Sequence, residues 1–315
     1  MDPYLLAEAL DLVIENGGSE GIDGVTIGDV KAQRWEFVKK LAQEIRDRTF
    51  KPLAVRRVYI PKSDGRMRPL GIPAIKDRVI QRALVLLMEP IYELKFKDFS
   101  YGFRPKKRAA DCAADVANAT FTHRHVIDAD IESFFDKVQH RKLIGMLKRE
   151  IVDPRIISLI QSFLKAGFME REKPWAPTPE GTPQGGPLSP LLANIYLHYA
   201  LDSKFEEWNI KDARAFRYAD DFVVVTKTKS SSLTLLKLIR GALALVGLNL
   251  KESKTRLVNM QNRYRGHDSQ FNFLGFKFHL RAFKDNPKRF WIARQPSEKS
   301  RKNLTAKLKS ALLPN

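Results

Sequence analysis

Two runs that read as β-strands, Ala213 to Arg217 and Phe222 to Thr226, meet at Tyr218-Ala219-Asp220-Asp221, and this junction constrains the chain more than any other stretch. The following run, Phe222-Val223-Val224-Val225, is β-branched and aromatic, so the segment predicts a tight hairpin with adjacent carboxylates at its tip. Two carboxylates held there repel one another unless a cation sits between them. A solvated acidic turn satisfies the tetrapeptide equally well, so the rest of the chain has to decide.

A second acidic strand supplies the decision. Val126 to Ile131 reads as a buried strand, and Asp128 and Asp130, two residues apart, share one of its faces. Carboxylates in an apolar strand are costly unless paired or metal-bound. With Asp130 beside Asp220 and Asp221, three carboxylates would meet in one antiparallel sheet, a means of holding two Mg2+ ions ~4 Å apart for in-line phosphoryl transfer. Hard oxygen ligands and a partly hydrated shell point to Mg2+ over zinc. The six histidines show no metal-ligand spacing and read as structural or surface residues.

Charge names the partner class. Lys and Arg outnumber Asp and Glu by 55 to 36, a formal net charge of +19, which predicts a polyanionic partner: RNA or DNA first, an acidic membrane surface second. After Glu252 the acids are Asp268, Asp285 and Glu298 alone, so the C-terminal fifth is expected to contact phosphates. A lone cysteine, Cys112, excludes an internal disulfide framework and a cysteine-based metal cluster, and fits a reducing cytosol. No apolar run reaches transmembrane length and the first fifteen residues carry acids, so a soluble, intracellular chain without membrane attachment is expected.

Periodicity predicts helices over 3–15, 31–48, 75–96 with a kink near Pro90, 109–119, 141–149, 154–166, 188–208, 231–246 and 299–312. Strands are predicted at Val55–Tyr59 and Met67–Ile72 around a Ser63-Asp64-Gly65 turn, and at 256–260 and 271–278, with Phe273-Leu274-Gly275-Phe276 as a tight apolar turn. The first hairpin carries Arg56, Arg57, Lys62, Arg66 and Arg68, which suits either a solvated edge or a flap closing over phosphates. The loop Ser100 to Pro105, continued by Lys106, Lys107 and Arg108, suits either nucleic-acid contact or local packing. Glu180 to Pro187 is irregular; its glycines either admit a ligand to the backbone or make a helix entry turn, and Gln184 offers both donor and acceptor.

The ordered blocks IPKSDGRMRPLGIP, FSYGFRP, DADIESFFD, GTPQGGPLSPLLANIYLH, YADD, GLNLKESKT and FNFLGF resemble the reverse transcriptase domain of bacterial group II intron-encoded proteins, over residues 20–295. GIDGVTI resembles the extra N-terminal block of non-retroviral members. The resemblance implies an α+β right-hand polymerase: an antiparallel palm sheet packed on helices, with helical fingers carrying a β-hairpin. It divides the chain into N-terminal helices (1–50), fingers (51–123), a metal-binding palm strand (124–140), an insertion (141–187), palm (188–295) and the start of a thumb (296–315) that ends within its first helix, as in a trimmed or truncated protein.

By the same resemblance Asp130, Asp220 and Asp221, with the Ile131 carbonyl, bind two Mg2+ ions during catalysis. Lys62 and Arg68 grip the incoming dNTP, Phe135 excludes the ribose 2′-hydroxyl, and Gln184 lines the nucleotide pocket. Lys254 protonates pyrophosphate, and Phe273, Leu274 and Gly275 hold the primer end. Tyr218 and Arg104 fall with the primer–template contacts, and Arg56, Arg57, Lys106, Lys107 and Arg108 form an RNA-binding basic surface. Asp128 and Asp136 are not carried over as ligands. The partners implied are an RNA template with a DNA primer, dNTP, group II intron RNA, and a second copy in a homodimer. Two other readings stand beside a maturase polymerase: an RNA-binding splicing cofactor with little activity of its own, and a CRISPR-associated, retron-like or diversity-generating reverse transcriptase.

Overall fold

In a computed structural model the chain is described over residues 1–61, 65, 67–170, 174–183, 185–260, 269–286 and 290–312. It divides into two compact units, one comprising residues 1–96 and 133–197, the other 97–132 and 198–315.

The chain enters the first unit with α1 (Pro3–Asn16), α2 (Ile27–Ala32), α3 (Arg34–Arg46), β1 (Val55–Pro61), β2 (Met67–Ile72) and α4 (Ile75–Glu93). It contributes α5 (Ala109–Thr122) and β3 (His125–Asp130) to the second unit. Returning to the first, it forms α6 (Phe134–Lys137), α7 (His140–Leu147), α8 (Pro154–Lys165), β4 (Phe168–Met169) and α9 (Ser189–Leu197). The second unit is completed by a π-helical turn (His198–Asp202), α10 (Ser203–Trp208), β5 (Ala213–Tyr218), β6 (Asp221–Thr226) and α11 (Lys229–Leu245). After these come β7 (Arg256–Asn259), β8 (Gln270–Phe273), β9 (Phe276–Ala282), β10 (Phe290–Pro296) and α12 (Glu298–Leu312).

In the first unit α1 packs on α3 and α4, and Leu6, Leu10, Val38, Leu41, Val79 and Leu84 are buried. Local chemistry sets the helix starts. Asp2 caps α1 by accepting from the Tyr4 amide, with proline at the first helical position. A full capping box, Thr26 with Asp29, starts α2. That Thr-x-x-Asp signal lies between the helices expected over 3–15 and 31–48, where no element was expected. The basic hairpin forms with Arg56 opposite Ile72 and Ile60 opposite Arg68, and β4 adds a short parallel strand to its other edge, giving the order β2-β1-β4.

The second unit holds a four-stranded antiparallel sheet, order β5-β6-β3-β7, and a three-stranded antiparallel sheet, order β10-β9-β8. α11 packs on β3 and β6, while α5 packs on β5 and β6. Phe222, Val223, Val224 and Val225 are therefore all buried, and this strand reads as an unbroken apolar run. Val116, Val126, Val223, Val258, Phe271 and Phe278 belong to one core, in which the Phe271 and Phe278 rings stack at 4.7 Å.

One expectation needs correction, one turn is found as expected, and one strand was not expected. The helix expected over 188–208 is divided by the π-helical turn, which carries Asp202. The tight turn expected at Phe273-Leu274-Gly275-Phe276 is present and makes 271–278 the β8–β9 hairpin, with Leu274 and Gly275 at positive φ (51° and 78°) reversing the chain. Its second partner, β10, came from a stretch of mixed polarity that showed no clean alternation.

Candidate active site

β3 and β6 pair in a register that sets Asp130 directly opposite Asp221. The β5–β6 hairpin closes between Tyr218 and Asp221, so Ala219 and Asp220 form a two-residue turn. Such turns favour residues with positive φ, and Ala219 takes φ 57°, which an alanine adopts at a cost.

The cost is met by a brace built from two distant motifs. Arg217 is buried; its Nη1 donates to the Ala219 carbonyl at 2.9 Å, its Nε donates to Asp202 at 2.8 Å, and its Nη2 donates to the Ser100 hydroxyl at 2.7 Å. The segment before Tyr101 runs along β5: the Arg217 amide donates to the Phe99 carbonyl and the Tyr101 amide to the Arg217 carbonyl, each at 2.8 Å. A Cβ at Gly102 would stand 2.4 Å from the Ala219 nitrogen, so only glycine lets that loop lie against the turn. The FSYGFRP stretch thus packs locally, with Phe103 exposed and 6.5 Å from the Tyr218 ring.

The acidic face is held by cations. Lys254 donates to the Asp130 carboxylate, and Arg256 donates to Asp128 at 2.7 Å. Main-chain bonds tie the end of β3 to the stretch carrying Lys254: Lys251 donates to the Asp130 carbonyl and Glu132 to the Asn249 carbonyl. Ile131 is buried and bridged to Leu250. Asp221 stands exposed at the head of β6, yet the protein packed around its carboxyl, reinforced by the charges of Asp220 and Asp130, pushes it up to about 6. Burial also raises Asp128, with Arg256 opposing it. For Lys254 burial works to lower the ammonium, but the Asp130 hydrogen bond and the charges of Asp130, Asp221 and Asp220 prevail and raise it.

Such a donor set fits a divalent cation. All three side chains offer hard carboxylate oxygens, and Asp221, raised first by desolvation and then by the Asp220 and Asp130 charges, is an acid whose ionised form a bound cation would stabilise. Among the described residues no three acids, imidazoles or thiols already converge on one point, and the cation on Asp130 here is the Lys254 ammonium.

The remaining expected residues separate between the units. In the second unit Phe273 is a core residue, and the Gly275 carbonyl accepts from the Ser297 amide and the Ser300 hydroxyl, each at 2.8 Å, which ties the turn to the start of α12. Arg104 donates to the Lys97 and Ser100 carbonyls, Lys107 donates to the Asp98 carbonyl, Arg108 pairs with Asp111, and Lys106 is exposed. In the first unit Arg68 is exposed on β2, while Arg56 reaches the Glu20 carbonyl and Arg57 lies 3.1 Å over the Phe168 ring. Of the expected basic surface, Arg56 and Arg57 thus belong to the first unit and Lys106, Lys107 and Arg108 to the second, and all but Lys106 have a partner among the described residues of their own unit. Lys62 and Gln184 lie outside the described residues.

Phe134 and Phe135 take different roles. Phe134 faces Tyr196, ring centres 6.4 Å apart, whereas Phe135 lines a cavity of about 230 Å³ with Arg57, Pro69, Gly71 and Thr182. The Thr182 amide donates to the Phe135 carbonyl at 2.7 Å, and its buried hydroxyl has no partner among the described residues. Thr182, Arg217 and Asp202 are the residues sequence reasoning missed. The first sits inside a singled-out motif; the ion pair gave no signal, since its members are fifteen residues apart in different elements.

An antiparallel sheet that presents carboxylates from the ends of adjacent strands, packed on helices, defines a right-hand nucleic-acid polymerase. The chain matches the family described as reverse transcriptase (RNA-dependent DNA polymerase) over residues 60–278 and belongs to it. Members of that family use divalent metal ions and RNA templates. Along 349 residues it is 35% identical to Protein YkfC of Escherichia coli (strain K12), covering 98% of this chain and 89% of that protein. It is 44% identical over 164 residues to the group II intron-encoded protein LtrA of Lactococcus lactis subsp. cremoris, covering 52% of this chain and 27% of that protein. Apo telomerase from Candida tropicalis, truncated from its C-terminal domain, shares the fold, with a TM-score of 0.56 and 16% identity over 78% of this chain and 59% of that one. Among the described residues no helix is long and apolar enough to cross a membrane.

Proposed function

We propose that this chain is the RNA-directed DNA polymerase domain of a group II intron maturase, adding dNTP to a primer 3′-hydroxyl. The observation that carries the reading is the register of Asp130 against Asp221, with Asp220 next in the turn. These three residues would hold two Mg2+ ions, with the Ile131 carbonyl as a backbone ligand. The ions, when bound, lower the pKa of the attacking hydroxyl and neutralise the leaving pyrophosphate.

The chain's own residues do the rest. Arg217 holds the turn that presents Asp220 and Asp221, and Lys254 keeps Asp130 oriented and supplies a positive charge for pyrophosphate. Lys62, Arg68 and Gln184 bind the triphosphate, and Phe135 shapes the sugar end of the pocket against a 2′-hydroxyl. Phe273, Leu274 and Gly275 hold the primer end. In this reading β1 and β2 belong to the fingers, the four-stranded sheet is the palm, and α12 opens the thumb. The likeness to LtrA supports the maturase assignment, and the net charge of +19 supports intron RNA binding as its second activity.

A primer-extension assay on primed RNA with each dNTP and its ribonucleotide tests the reading. Template-directed, Mg2+-dependent incorporation that prefers dNTP is expected; incorporation without a template would contradict it.

A further inference from the structure

Gly145 sits inside α7, where glycine is unfavourable relative to alanine, and the interior of the protein offers no reason for it. A Cβ built at this position would meet nothing within 4 Å. Its open side faces a groove of about 630 Å³ between α7 and α8, lined also by Arg141, Lys148, Gln161, Lys165 and Glu180.

Arg141, Gly145 and Lys148 follow one another at helical spacing along one face of α7, and Lys165 closes α8 across the groove. All three cations are exposed, and among the described residues none has a carboxylate within ion-pair distance. Neighbouring cations of the same unit are neutralised: Lys95 pairs with Glu150 at 3.1 Å and Arg155 with Asp153 at 2.7 Å. Glu180 is the single acid among the described lining residues. Of the apolar lining, Ile144 and Leu164 are buried and Pro179 alone is exposed, and the His140 ring is tied to the Gly181 carbonyl at 2.7 Å; no Phe, Tyr or Trp among the described lining residues offers a protein partner an anchor or bases a broad stacking platform.

The geometry points to a groove that takes the sugar-phosphate backbone of a single nucleic-acid strand, with Arg141, Lys148 and Lys165 on its phosphates and the bare backbone at Gly145 admitting it closely. Seven residues of helix separate Arg141 from Lys148 by ~10 Å, farther than one small anion reaches, which suits successive phosphates of an extended polyanion. This deepens the nucleic-acid reading above and needs no catalysis.

Fluorescence anisotropy with a fluorescein-labelled 20-nucleotide single-stranded RNA, and its DNA counterpart, in EDTA tests it on the whole chain. Gly145→Glu fills the groove with an acid yet improves helix propensity, so it is expected to weaken binding by about tenfold or more with an unchanged or higher Tm; Gly145→Ala, which puts one methyl where the strand approaches, should weaken binding by a smaller factor with a higher Tm. The triple variant Arg141→Gln, Lys148→Gln, Lys165→Gln should reduce the slope of log K against log salt by about 2. Unaltered affinity and slope would overturn the inference, as would an equal loss in the control triple Lys211→Gln, Lys227→Gln, Lys237→Gln. Displacement of the strand by pyrophosphate as effectively as by unlabelled 20-mer would also overturn it, showing a small-anion site. Because none of these readouts uses polymerisation, an inactive but strand-binding protein would defeat the polymerase reading and leave this one standing.

Discussion

The Arg217 guanidinium donates to the carbonyl of Ala219 at 2.9 Å, joining a buried ion pair to the turn that presents two carboxylates. Asp202 and Ser100 hold its other nitrogens.

Removing one partner of a buried pair leaves the other charge uncompensated, so Arg217→Met is expected to cost about 3–5 kcal/mol of stability. The double variant Arg217→Met, Asp202→Leu should regain most of it. Polymerase activity should stay low in both, with kcat reduced more than KM, because the Ala219 carbonyl has lost its donor. Urea unfolding and steady-state primer extension separate the two effects.

Asp221 predicts a pH dependence of metal binding. Its carboxyl is pushed up to about 6, so a divalent ion is expected to displace a proton below that pH. Apparent Mg2+ or Mn2+ affinity should rise as pH increases from 5 to 7, with proton release shrinking over the same range. Calorimetric titration in buffers of different ionisation enthalpy reads both, and Asp221→Asn should abolish the proton release.

Asp77 predicts a pH dependence of stability. It is 1% exposed; one carboxylate oxygen accepts from the Leu53 amide at 3.0 Å, and the other has no partner among the described residues. Burial pushes it up to about 7. The folded state therefore binds a proton that the unfolded chain has released, and stability falls as pH rises from about 4 through 7. The fall should be on the order of 2–4 kcal/mol and should flatten in Asp77→Asn, measured by urea unfolding across that window.

Phe135 lines the cavity in the first unit, and its replacement by alanine should relax selection against ribonucleotides by about 10–100-fold. Comparing kcat/KM for dNTP and NTP in wild type and variant measures this. Phe134→Ala should instead lower Tm without changing the ratio, since Phe134 faces Tyr196.

Most of the site was legible because its residues announce themselves. Asp130 sits in an apolar strand and Asp220-Asp221 between two others, and strand period alone puts them in register range. What could not be read was the support. Arg217 looks like one more cation in a basic chain, and nothing local marks Asp202 as its partner or Ser100 as its acceptor. The π-helical turn was hidden for the same reason: its residues have ordinary helical character, so tertiary packing sets its geometry. The partners of the basic stretches were equally hidden. Arg56, Arg57, Lys107 and Arg108 look available in sequence, yet each finds a carbonyl, carboxylate or ring nearby.

The central claim is that Asp130, Asp220 and Asp221 form one divalent-metal site for nucleotide transfer. Primer extension on a primed RNA template, with Mg2+ titrated against wild type and the Asp220→Ala, Asp221→Ala variant, tests it most directly. Mg2+-dependent dNTP incorporation that falls at least about a hundredfold in the variant is the predicted result. Undiminished synthesis by the variant, or synthesis that persists in excess EDTA, would contradict it.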